Sequence, residues 1–341
     1  MKNQKVGNLE RWPVSVAPMM DRTDRHFRAF MRLISSKALL YSEMITTSAI
    51  LHGNRQHLLG FSAQEKPLAL QLGGDDPRAL AECATVAEGL GYDEVNLNVG
   101  CPSNRVQEAN FGACLMKIPE KVAEGVQAMR NAVNIPVTVK HRIGVDDKDH
   151  YKDLAHFVQI VAESGAQRFS IHARKAWLSG LSPKENREIP PLRYEDVYRL
   201  KSEYPQLTID INGGVTKIDQ IRKHLENVDG VMVGRAVYQD PFLFATVDQE
   251  FYGSTKFSPS RREVIDGTIA YAEMWLEKGQ ELRRICRHLI GLMKGCKGAR
   301  SWRRTLSEGF CKVQAGTEVL LAAIETVPDN VLDDRPLIKE A

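Results

Sequence analysis

Apolar residues recur along this chain with two alternating periods. Short stretches in which every second residue is apolar give way to longer ones with apolar residues three and four apart. The first period marks strands and the second marks amphipathic helices. Strands are expected at 14–18, 38–44, 67–72, from 94 to a stop near Gly100, and at 136–143, 168–173, 207–212 and 230–234. Helical spacing falls between them. At 22–35 it aligns Phe27, Phe30, Met31 and Ile34. At 77–90 it is bracketed by Asp76 as cap, Pro77 as first residue and Gly91 as stop. Further helices are expected at 119–133, 148–164, 194–203, 217–227 and 241–251, with 46–59 partly helical and 111–115 a glycine-containing loop.

Eight strands in about 250 residues, nearly all followed by helices, predict an α/β fold, a (β/α)8 TIM barrel. A doubly wound open sheet is the alternative, but no G-x-G-x-x-G follows the first strand. The barrel is expected over 1–252, a Gly/Ser/Pro linker over 253–260, a small all-helical C-terminal domain over 261–327 and a loose tail over 328–341.

Composition narrows the class. Hydrophobic residues make up 43% and charged residues 26%, ordinary for a soluble globular chain. No apolar run approaches the ~18 residues of a membrane span. The first twelve residues lack a signal-peptide core, so a cytoplasmic protein is expected, with no membrane partner. The six cysteines form no C-x-x-C pair and have no histidine cluster at zinc spacing, so neither a metal centre nor a disulfide framework is expected. By default each cysteine is a small buried hydrophobe. Net charge is only +3, yet residues 283–304 hold eight Lys or Arg, no acid, and Trp302. That block predicts a surface for a polyanion.

The candidate chemistry lies at strand ends, where barrels of this kind build their sites. Alternation puts Gln71 on the inward face of the third strand, Asn96 and Asn98 on the fourth, Lys140 on the fifth, His172 on the sixth, and Asp210 and Asn212 on the seventh. Buried without partners, such groups cost about 1–3 kcal/mol each, so a polar ligand at the mouth would satisfy them together. Asn212-Gly213-Gly214 and Gly234-Arg235 follow the last two strands, where barrels often bind phosphate. A phosphate grip beside a Gln–Lys–His–Asn lining suits a phosphorylated heterocycle, and FMN fits. Cys101 sits just beyond the fourth strand, after Gly100 and before the ladder-breaking Pro102.

These motifs resemble the tRNA-dihydrouridine synthases, and in detail their bacterial A-type subfamily. The matching segments are Ala17-Pro18-Met19-Met20-Asp21, Gln71-Leu72-Gly73-Gly74, Asn96-Leu97-Asn98-Val99-Gly100-Cys101-Pro102-Ser103, Val139-Lys140-His141-Arg142, Ile171-His172-Ala173-Arg174, Ile211-Asn212-Gly213-Gly214 and Val233-Gly234-Arg235. Residues 175–187 of the long connection 174–192 and the segment 301–307 look like the A subfamily specifically. The resemblance implies an FMN-bound barrel and NADPH-dependent reduction of D-loop uridines, associated with tRNA positions 20 and 20a. It adds Ala17, Pro18 and Met19 to the cofactor-binding set. It implies hydride transfer to C6 of the uracil and a proton to C5 from Cys101, with Asn98 on the base. Expected tRNA contacts are Lys175, Lys184 and Arg187 of the long connection, and Arg300 and Arg303 of the basic block. No obligate protein partner is implied, and a monomer is expected. A flavin reductase acting on a free small molecule and a non-catalytic RNA-binding barrel are the competing readings.

Overall fold

The computed structural model describes residues 12–338. Residues 1–11 and the last three residues of the expected tail lie outside them. Eight parallel strands are present: β1 (Val14–Val16), β2 (Leu40–Thr46), β3 (Leu68–Gly73), β4 (Glu94–Val99), β5 (Val137–Arg142), β6 (Arg168–His172), β7 (Thr208–Asn212) and β8 (Gly230–Val233). Their order is β1-β8-β7-β6-β5-β4-β3-β2. Leu39 then receives the Val16 N–H at 2.9 Å and donates to Val14 O at 3.2 Å, joining β1 to the segment entering β2 and closing the ring. The (β/α)8 barrel is therefore the observed fold.

Alternation sets the two faces of the wall. In β4, Val95, Leu97 and Val99 are buried on one face, while Glu94, Asn96 and Asn98 point inward. The register continues that inward row around the barrel: Gln71 opposite Asn96, Asn98 opposite Lys140, Lys140 opposite Ser170, and His172 opposite Asn212. The helix Pro77–Leu90 forms as its caps dictate. The Asp76 carboxylate accepts the Ala79 N–H at 2.7 Å, and Gly91 ends the helix at φ +89°.

Close packing divides the chain into two units. Among the described residues, the first holds 12–20, 39–215 and 219–234, which includes all eight strands; the second holds 21–38, 216–218 and 235–338. The second unit thus draws in the helix Arg25–Ile34 as well as the C-terminal helices. Some local structure differs from the sequence reading. The loop expected at 111–115 is a 3-10 turn, Gly112–Lys117, because Gly112 takes φ +75° and the Ala113 N–H bonds Cys101 O at 2.9 Å. Short helices at Asn104–Glu108 and Arg235–Gln239 were not expected. In the segment expected as a loose tail, Asp329–Leu332 is helical and Leu332 is buried. Arg262 anchors it through Asp329 and Asp333, both at 2.6 Å.

Candidate active site at the barrel mouth

The inward-facing polar residues of the first unit form a continuous row. At its base the Glu94 carboxylate accepts from Tyr41 Oη at 2.8 Å, Thr138 Oγ1 at 2.6 Å and Arg168 Nη1 at 2.7 Å. Arg168 also faces Asp210, 3.6 Å away, which in turn accepts from Ser170 Oγ at 3.2 Å. Burial pushes the Asp210 carboxyl up to about 6 against the pull of Arg168. Above the base, Asn96 Nδ2 donates to Thr138 Oγ1 at 2.8 Å, Gln71 Nε2 to Asn96 Oδ1 at 2.8 Å, and Asn98 Nδ2 to Gln71 Oε1 at 2.9 Å.

Asn98 delivers this row to the cysteine. Its Oδ1 accepts the backbone N–H groups of Gly100 at 3.1 Å and Cys101 at 3.0 Å. Cys101 O is held from the other side by Ala113 N–H, and a Cβ on Gly112 would stand 2.6 Å from that oxygen. Only glycine fits there. The loop is thus fixed on both sides, with the Cys101 thiol free, half-buried and 3.5 Å from Ser103 Oγ.

Lys140 stands beside Asn98, its register partner on the adjacent strand β5. Its hydrogen bond among the described residues is a long one, 3.3 Å to Asn212 Oδ1. Burial, with Arg142 nearby, pushes its ammonium down to about 8. Asn212 Nδ2 donates to Met232 O at 2.7 Å, which orients its oxygen toward Lys140. Beyond β7, Gly213 and Gly214 take φ +115° and +74°. A Cβ on Gly213 would lie 2.7 Å from the His172 ring, and one on Gly214 would lie 2.5 Å from Tyr194 Oη. Gly234 follows β8 beside Ala17 and Met19, where a Cβ would meet only ordinary contacts at 3.5 and 3.9 Å. Pro18 and Met19 are half-buried after β1, and Ala17 is buried with Tyr41 and Ala69. Arg235 is exposed and opens the helix Arg235–Gln239, within the second unit.

Of the residues expected on tRNA, Lys184 and Arg187 are exposed. Lys175 instead pairs with Asp149 at 2.8 Å and lies over the Trp177 ring at 3.9 Å. In the second unit, Arg300 and Arg303 are exposed on the helix Ala299–Gly309. Arg287 of the same basic block pairs with Asp24 at 2.6 Å. Trp302, read with that block as part of a surface, is fully buried and donates its indole N–H to Leu289 O at 3.1 Å.

Between residues 15 and 330 the chain matches the profile of the dihydrouridine synthase (Dus) family. The chain belongs to that family. Among Dus proteins it is 61% identical over 313 residues to the tRNA-dihydrouridine(20/20a) synthase of Synechocystis sp., covering 92% of this chain and 94% of the relative. It is 56% identical to the protein of that name from Shewanella oneidensis (95% and 96% covered) and 54% identical to that from Escherichia coli K12 (93% and 92% covered). A solved complex of 2-naphthoyl-CoA reductase with 2-naphthoyl-CoA shares the fold at TM-score 0.55 and 11% identity, covering 72% of this chain and 51% of that one.

Two further residues shape the site of this Dus protein, and the sequence reading gave them no role. Arg142 is buried, and its guanidinium donates to Gly100 O at 2.9 Å, Lys175 O at 3.0 Å and Asn186 O at 2.9 Å. Asn186 is fully buried and organises the long connection, exchanging hydrogen bonds with Trp177 N (2.7 Å) and Trp177 O (2.9 Å). A signal was present for Arg142: it lies in the inward phase of β5 with Thr138 and Lys140.

Proposed function

We propose that this chain reduces specific D-loop uridines of tRNA, at positions 20 and 20a, to 5,6-dihydrouridine, with FMN bound in the barrel mouth and NADPH as electron donor. The observation that carries this reading is the half-buried Cys101 thiol, held by Asn98 beside Lys140, in a Dus-family chain whose similar relatives bear that activity in their names.

The mouth fits FMN on two counts. Gly213 and Gly214 turn the chain after β7 at positive φ, where a side chain would collide with His172, Leu192 and Tyr194, so bare backbone would meet the phosphate there. Lys140 is a desolvated ammonium with one long hydrogen bond among the described residues, so an electron-rich ring edge would complete it. Gln71, Lys140, His172 and Asn212 would hold the ring system, with Ala17, Pro18 and Met19 on the β1 side. Gly213, Gly214 and Gly234 would take the phosphate, with Arg235, next to Gly234 in sequence, as the counter-charge.

FMN bound there and reduced by NADPH would supply the hydride for C6 of the uracil. Cys101 would deliver the proton to C5 as general acid, from the loop that Asn98 holds in place. Asn98 Oδ1 is committed to two backbone N–H groups, so Asn98 meets the base through its remaining Nδ2 proton and selects a carbonyl edge. The base must leave the tRNA stack to reach the thiol. Lys184 and Arg187 on the first unit, and Arg300 and Arg303 on the second, would contact tRNA phosphates, with Lys175 more weakly available because Asp149 already neutralises it. Incubating the purified protein with unmodified tRNA and NADPH, then mapping dihydrouridine, tests the proposal. Dihydrouridine at 20 and 20a is the expected result; reduction of free uridine with tRNA untouched would overturn it.

A further inference from the structure

The polar row through the barrel has hydrogen-bond directions fixed at both ends. At the top, the Gly100 and Cys101 N–H groups can only donate, so Asn98 must offer them its oxygen. Asn98 then has only its NH2 for Gln71, Gln71 only its NH2 for Asn96, and Asn96 only its NH2 for Thr138. At the base, Thr138 passes its single hydroxyl proton to Glu94, which is loaded from the other side by the Arg168 guanidinium. Reversing the three amides would turn the Asn98 NH2 against two N–H groups and the Asn96 oxygen toward Thr138. Both ends therefore select the same arrangement.

We infer that this is a one-way ladder in which Glu94, Thr138 and Asn96 act as positioning residues for Cys101, setting the amide orientation of Asn98 from the base of the barrel. None of the three lies at the mouth, and Thr138 and Asn96 are fully buried. Buried amides linked in series hold orientation cooperatively, and the low dielectric makes a wrongly turned rung costly. The ladder itself stands on geometry alone; its consequence for turnover rests on the reading of Cys101 as the proton donor.

Hydrogen–deuterium exchange at the Gly100 and Cys101 amides of the full chain tests the ladder without any turnover. In Thr138→Val, shape is retained but the hydroxyl rung is gone. Exchange at those two amides should rise about tenfold, the equivalent of one lost buried hydrogen bond. Amides of the helix Pro77–Leu90 should keep their rates, and Thr138→Ser should restore wild-type exchange. With saturating tRNA, Thr138→Val should also lower kcat roughly tenfold or more while KM for tRNA holds, as expected when a reacting group is misplaced. Wild-type exchange at Gly100 and Cys101 in Thr138→Val, or equally fast exchange in Thr138→Ser, would overturn the ladder. If Thr138→Val does not fold, Thr138→Ala removes the same hydroxyl from a smaller side chain and is read the same way. Raised exchange with unchanged dihydrouridine formation would keep the ladder but overturn its role in placing Cys101.

Discussion

The base and the mouth of the barrel are built from the same strands by the same alternation, yet they treat polar groups in opposite ways. At the base, Glu94, Thr138, Arg168 and Asp210 answer one another. At the mouth, Lys140 has a 3.3 Å bond to Asn212, Cys101 is half-buried, and Gly213 and Gly214 turn the chain at positive φ where a side chain would collide with its neighbours. A polar interior is thus no single kind of thing. Groups paired with one another are architecture, and groups left partly satisfied at one end are an invitation to a ligand.

The largest expected effect comes from breaking the base. Arg168→Met leaves Glu94 and Asp210 buried without their cation, which should cost about 3–5 kcal/mol in urea denaturation. A loss below about 1 kcal/mol would mean the base is not a paired network. Next, Gly214→Ala forces a side chain into φ +74° against Tyr194 and Leu192. It should cost about 1–2 kcal/mol and weaken FMN binding. An Ala variant of full stability would show that the turn after β7 does not require glycine.

Lys140→Met sharpens the contrast through pH. Folded Lys140 titrates near 8, below its ordinary 10.5. Between those values the unfolded chain holds the proton and the folded chain has released it, so wild-type stability rises with pH there. In flavin-free protein, Lys140→Met should be at least as stable as wild type at pH 7, with its advantage shrinking as pH climbs from 8 toward 10.5. A variant less stable at pH 7 would show that Lys140 belongs with the paired base. The smallest effect concerns the second unit, where Arg287 is paired and Arg300 and Arg303 are exposed. Changing both to Ala should reduce the salt dependence of tRNA binding by roughly 1 slope unit per lost contact. An unchanged slope would make that face merely solvated.

The barrel was legible because period-two and period-3.6 patterns alternate cleanly and because caps such as Asp76 and Gly91 mark element ends. The mouth was legible because Asn98, Lys140, His172 and Asn212 share one phase near strand ends. The base was misread: Asn96 and Asp210 were placed with the mouth but are buried among Thr138, Ser170 and Arg168, and Glu94, Thr138 and Arg168, in the same phase at strand starts, were given no role. Their value lies in mutual pairing across the barrel, and pairing is a property of closure. Arg142 escaped for a similar reason: the carbonyls it joins lie 33, 42 and 44 residues away. Trp302 was misread because its basic neighbours drew attention from its i, i+4 spacing with Leu306, which marks the buried face of the helix.

The reading turns most directly on Cys101→Ala, assayed for bound FMN, for its reduction by NADPH, and for dihydrouridine formed on tRNA. Retained FMN and retained reduction, with dihydrouridine formation lost, is the result expected if Cys101 supplies the proton to C5. Dihydrouridine formation at the wild-type rate would contradict it.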